Sequence, residues 1–211
     1  MNSEFFTNFG YVEDIVPESL INQLKEIVKE KELEKFNAKL AGNIKKEFKI
    51  PKAISVMKPY IFQLAQKYED SFHLLDSINY CTDNVPLELE GMWVNFQEKH
   101  EFNPAHTHSG VYSFAIWLQV PYLIEDEREQ GPGKESNHNA AGNFEFLYTT
   151  TLGNIAIKSL PVDRRWEGRI VFFPAKLHHQ VHPFFTSDDY RISISGNIRL
   201  DTRNLRSKQN D

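Results

Sequence analysis

A single cysteine, Cys81, stands in 211 residues, so no disulfide can form within the chain. That excludes the disulfide frameworks of small secreted domains and points to a reducing compartment, with Cys81 expected as a buried, inert thiol. No apolar run approaches the roughly 20 residues needed to cross a bilayer. The opening residues MNSEFFTNFG lack a basic segment followed by an apolar one, so no secretory signal is expected. A basic surplus is missing too. The formal net charge of −5 speaks against a nucleic-acid backbone as main partner, because phosphates want a basic surface. The expectation is a cytoplasmic protein with neither membrane nor nucleic acid among its partners.

What the chain does have is aromatic bulk. Its 16 Phe, 8 Tyr and 3 Trp suit strands packed face to face. From residue 87 onward the segments LELEGMWVNFQ, VYSFAIWLQV, NFEFLYTTT, NIAIKSL, RIVFFP and YRISISGNIRL are short, aromatic and β-branched, with Gly, Pro, Asn and Asp between them. Evenly spaced short strands predict a mainly β sandwich, barrel or jelly roll. Two helices precede them. Residues 17–36 start on Pro17 and place Leu20, Leu24, Ile27 and Val28 on one face. Residues 54–72 carry Ile54, Met57, Ile61, Leu64, Ala65, Tyr68 and Phe72 at helical spacing, with Pro59 either starting or kinking the helix. The lysines from Lys25 to Lys52, interleaved with glutamates, read as a solvated helix face. The length fits one domain over 1–211: a helical buttress over 1–86, the strand core over 87–200 and a polar tail over 201–211. The long polar connection 123–142 is expected to act as a lid or substrate loop.

Five of the eight histidines lie in two short windows. His106 and His108 are two apart, so both face one side of an extended segment. His178, His179 and His182 follow a Gly-initiated strand that ends at Pro174. A third histidine from that distant turn would complete one face of an octahedron and leave the opposite positions open. Such an arrangement suits a non-haem iron that must also bind a co-substrate and oxygen. In the last strand Arg191, Ser193, Ser195 and Asn197 alternate with Ile192, Ile194 and Ile198. That polar face must line something wet or ligand-filled.

Gly168, Phe173-Pro174, His179-Gln180-Val181 and Arg191-Ile192-Ser193 together resemble the iron(II)/2-oxoglutarate-dependent oxygenase superfamily, in its prolyl-hydroxylase-like branch. The resemblance covers roughly residues 90–199. It implies a double-stranded β-helix (jelly-roll, cupin-like) core with flanking helices, and His179 as distal iron ligand beside His106 and His108. It also implies Arg191 as partner of the 2-oxoglutarate C5 carboxylate, with Ser193 donating a hydrogen bond. Arginine suits that task because its planar fork grips a carboxylate bidentately and keeps its charge. Asn95, Gln97 and Trp117 are candidate pocket-lining residues. The activity implied is hydroxylation of an unactivated C–H bond in an amino-acid, peptidyl (prolyl-like) or other small substrate. Iron(II), 2-oxoglutarate and oxygen are the cofactors, and succinate and CO2 are released.

The chain departs from the family pattern at one ligand, because His108 stands where most members carry Asp or Glu. Imidazole is an acceptable ligand for iron(II), so three histidines still make a site. In a halogenase-like alternative His108 is the only proximal ligand and Gly110 holds the acid's place. A metal cupin dioxygenase that does not use 2-oxoglutarate is a further alternative, but its glutamate is missing at Tyr112 and Ser113. A non-enzymatic jelly-roll binding module would leave the histidines and the acid anchor without a purpose.

Overall fold

The computed structural model describes residues 8–30, 32–78 and 85–203, so Cys81 and the tail beyond Arg203 lie outside the described residues. In chain order the elements are β1 (Val12–Ile15), α1 (Glu18–Ile27), β2 (Lys46–Lys49), α2 (Pro51–Phe72), α3 (Leu74–Ser77), β3 (Leu87–Gln97) and β4 (Asn103–His106). β5 (Tyr112–Gln119), α4 (Ile124–Gln130), β6 (Phe144–Thr149), β7 (Ile155–Leu160), β8 (Arg169–Pro174), β9 (His178–Val181) and β10 (Arg191–Leu200) complete the described chain. Two antiparallel sheets result, in the orders β1-β8-β5-β10-β3-β2 and β4-β9-β6-β7. The pairs β6–β7, β5–β8, β4–β9 and β3–β10 nest inside one another. The core is thus one long hairpin rolled up so that successive pairs alternate between sheets: a jelly roll.

Alternation along each strand of the larger sheet sends side chains to opposite faces. Val94, Ile194, Ile116 and Ile170 are successive cross-strand partners and pack in the cluster that contains Met57, Ile61, Leu64 and Tyr68 of α2. The opposite faces of the two sheets enclose a second cluster of Trp117, Phe144, Phe146 and Phe173. Pro59 lies within α2 on its exposed side, and Ser55, whose carbonyl it deprives of a donor, is exposed as well. The helix therefore runs through the proline rather than starting at it. It stops at His73, which takes the left-handed conformation at φ 51° and closes the turn with its N–H on Glu69 O.

The N-terminal third is not wholly helical. α1 ends at Ile27, well short of residue 36. Phe36 N–H donates to Glu47 O at 2.8 Å and Lys49 N–H to Glu34 O at 2.9 Å. Pairing with β2 outweighs the helix propensity of a Lys/Glu run that has too little apolar surface past Val28 to hold a helix down. β1 and β2 then extend the larger sheet at its two edges.

Candidate active site

His106 closes β4 directly opposite His179 of β9. His108 follows in a turn tied to the end of β8, its N–H donating to Ala175 O at 2.8 Å. The three residues each offer a ring nitrogen, and these lie within 4.8 Å of one another. His108 Nε2 is 3.1 Å from His179 Nε2. Nδ1 of His179 lies 3.0 Å from Leu177 O, and Nδ1 of His106 lies 2.7 Å from Pro104 O. A proton on each Nδ1 satisfies those carbonyls and leaves Nε2 free as a ligand. Phe144 stacks on the His179 ring at 5.5 Å and Phe173 meets it edge-on at 4.8 Å, fixing its plane.

Burial keeps these rings neutral. It holds the His108 imidazole down to about 3, with the nearby His106 adding to the effect. His179 is pushed well below the ordinary histidine value by burial and by His106 and His108. His106 is lowered by burial as well, against the pull of its bond to Pro104 O. Neutral imidazole is the form a metal takes up. The donor set therefore fits iron(II), with three nitrogens on one side and the cavity on the other.

The other clustered histidines point elsewhere. His178 is exposed on the outer side of β9. His182 Nε2 lies 2.8 Å from Glu145 Oε2, where Glu145 also accepts from Ser159 Oγ at 2.7 Å and Gln180 Nε2 at 2.9 Å. Gly110 is no emptied ligand position either. Its φ is +87°, and an added Cβ would strike Ile198 O of β10. A glycine is required there by the backbone alone. Gly110→Ala should cost roughly 1–3 kcal/mol or more of stability from the strained conformation, read as a lowered midpoint in denaturant unfolding. A parent-like midpoint would mean that the turn can relax.

In front of the histidines opens a cavity of about 740 Å³. Its floor is the inner face of the larger sheet. Glu47, Asn95, Ser193 and Trp117 form one cross-strand row, and Lys49, Trp93, Ser195 and Ala115 the next. All eight line the cavity. Gln97 does not; it stands behind the wall and holds Arg191. Arg191, 2% exposed, spends all five N–H groups on protein. Nε and one Nη donate to Gln97 Oε1 at 3.1 and 2.7 Å. The others reach Tyr122 OH at 2.6 Å, Gly142 O at 3.0 Å and His182 O at 2.8 Å. Each acceptor is neutral. A buried guanidinium with no counter-ion on a cavity wall favours an anion beside it.

The segment 123–142 is not the expected lid. Ile124–Gln130 is α4, with Glu125, Asp126 and Glu127 in its first turn, where the helix dipole favours acids. Glu127 is fully buried and accepts from Phe185 N at 2.7 Å and Thr186 N at 2.9 Å, which pins the segment down. None of its residues lines the cavity; Phe36 and Lys39 to Gly42 do so instead. Sequence reasoning missed these and Glu47 because they sit in the Lys/Glu-rich stretch. The only available signal was Phe36, an aromatic out of step with a solvated helix.

The family described as "Putative 2OG-Fe(II) oxygenase" matches residues 91–197. The chain belongs to that family, and it is a 2-oxoglutarate-dependent oxygenase working with iron(II) and oxygen. No curated protein matches it. Among solved structures it is similar to a Pseudomonas putida prolyl-4-hydroxylase, at 14% identity and a TM-score of 0.54, covering 92% of this chain and 94% of that one. The epimerase SnoN of nogalamycin biosynthesis is similar at 13% identity and a TM-score of 0.56, covering 92% and 79%. A 2OG-Fe(II) oxygenase family oxidoreductase from Burkholderia pseudomallei is similar at 10% identity and a TM-score of 0.52, covering 90% and 84%. These likenesses establish the jelly-roll fold. No helix among the described residues is long and apolar enough to cross a membrane.

Proposed function

We propose that the protein hydroxylates an unactivated C–H bond of an amino-acid, peptidyl or other small substrate. In the overall balance substrate, 2-oxoglutarate and O2 become hydroxylated substrate, succinate and CO2. One observation carries the reading: three neutral histidines and a buried, uncompensated arginine face the same cavity. His106, His108 and His179 would hold iron(II) through Nε2. Arg191 would take the C5 carboxylate of 2-oxoglutarate, with Ser193 Oγ beside it on the next inward position of β10. Bound iron and 2-oxoglutarate supply the oxidising chemistry, which no side chain here could provide. The chain's share is positioning and dryness. Phe144 and Phe173 fix the His179 ring, Asn95 Nδ2 donates to Ser193 Oγ at 3.2 Å and orients it, and Trp117 closes the floor behind them.

Anaerobic titration with iron(II) and then 2-oxoglutarate tests this. A visible metal-to-ligand charge-transfer band is expected only when both are present, followed by succinate on admission of oxygen. Iron binding without a band on adding 2-oxoglutarate would sink the reading.

A further inference from the structure

Glu47 is a carboxyl group on the cavity wall that this chemistry does not use. It lies on the edge strand β2, 1% exposed. Its Oε2 accepts one hydrogen bond, from Asn37 Nδ2 at 3.2 Å. Among the described residues its Oε1 has no donor, and no Lys or Arg pairs with it. Lys49, on the same face of β2, is already paired with Glu34 at 2.6 Å. Burial, reinforced by the charge of Glu101, pushes the Glu47 carboxyl up to about 7. Glu101 has Lys45 at 3.7 Å, but Glu47 has no cation of its own, an arrangement that costs free energy until one arrives.

Two further acceptors share the place. Asn95, the cross-strand partner of Glu47, is buried and lines the cavity, and its Oδ1 has no hydrogen-bond donor. Asn103 Oδ1 is buried without a donor as well. It crowds the same side of the Gly42 backbone as Glu47. A Cβ added at Gly42 would collide with Asn103 Oδ1 and lie 3.1 Å from Glu47 Oε1. Three acceptor oxygens that receive no hydrogen bond suit an ammonium group, which brings three N–H donors and no acceptor. Phe36 and Trp93, their rings 5.9 Å apart, line the same cavity and offer apolar surface to a carbon stem.

We propose that Glu47, Asn95 and Asn103 form a subsite for a protonated primary amine, so that an amine-bearing substrate is held by its cationic nitrogen while its carbon stem faces the histidines. The word substrate rests on the oxygenase reading; the binding of an amine does not. Two buried charges of the cavity wall then have separate uses. Arg191 on β10 suits the co-substrate's carboxylate, and Glu47, two strands away on β2, suits the substrate's ammonium.

The test uses the full chain without metal or 2-oxoglutarate. The protein is titrated with n-hexylammonium, n-hexanol and hexanoate, following the fluorescence of Trp93 and Trp117. Hexylammonium is expected to bind the parent about 10-fold or more tightly than hexanol, and Glu47→Gln to erase that preference while leaving hexanol binding in place. Hexanol or hexanoate binding the parent as tightly as hexylammonium overturns the proposal, as does a Glu47→Gln protein that keeps the preference. If Glu47→Gln does not fold, the parent's own discrimination and that of Asn103→Ala decide, and the Asn103 variant should weaken hexylammonium selectively. Iron(II) and 2-oxoglutarate binding by the parent are measured separately. Their failure would remove the oxygenase reading and leave the amine result standing, and the converse holds equally.

Discussion

His179→Ala is expected to weaken iron(II) binding by more than about 100-fold, since even partners that only orient a ligand cost 10–100-fold when removed. His179 is the most constrained of the three proposed ligands. It is 3% exposed, its Nδ1 is held to Leu177 O, and aromatic rings fix its plane. Alanine leaves two nitrogens and an apolar gap between Phe144 and Phe173 that no neighbouring side chain can fill with a donor. His106→Ala and His108→Ala should each lose binding too. His178→Ala should bind as the parent does, because His178 faces outward one residue away. His138→Ala is a second control, because His138 sits in the 123–142 segment that does not line the cavity. Isothermal titration with iron(II) under anaerobic conditions reads all five, with His182→Ala measured beside them. A His179→Ala protein that binds iron normally while His178→Ala or His182→Ala does not would redraw the centre.

The parts of this site most readable from sequence lie on strands or next to one, where a period of two converts spacing into direction. Arg191-x-Ser193-x-Ser195-x-Asn197 announces a common face for that reason; His106 ends β4 and His108 lies two residues past it, and both still line the same cavity. Which histidine follows Pro174 into the site was not readable from spacing alone. His178, His179 and His182 differ only in how the β8–β9 turn reverses the chain, and the resemblance to a family supplied the choice. Glu47 was hidden for a different reason. Its neighbours are lysines and glutamates at helical spacing, and only pairing with β3 turns that stretch into a strand that buries one acid. The 123–142 segment misled through its polarity. Glu127 looks like one more solvated acid, yet it is buried on the N–H groups of Phe185 and Thr186, and that tertiary anchor is invisible in local sequence.

Arg191→Leu is expected to lower 2-oxoglutarate affinity by about 30-fold or more while iron(II) still binds, because removing one side of a buried charge pair costs about 2–5 kcal/mol. The direction follows from the geometry. In the parent, a carboxylate that reaches Arg191 from the cavity gives the guanidinium its counter-ion. In the leucine variant the same carboxylate would be buried against a hydrocarbon, with only Ser193 left to donate. Gln97, Tyr122 and two main-chain carbonyls also lose their donor, so the variant should be less stable. Arg191→Lys separates the two effects. It keeps the charge but lacks the fork, so it should retain part of the 2-oxoglutarate affinity that leucine loses. The measurement is the charge-transfer band titrated with 2-oxoglutarate at saturating iron(II), with circular dichroism to show that each variant is folded. Equal 2-oxoglutarate affinity in the parent and in a folded Arg191→Leu protein would make Arg191 a tie between β3, β10 and the Tyr122 and Gly142 turns and nothing more. The co-substrate would then need another cation, and Lys49, which lines the same cavity, would be the next to replace.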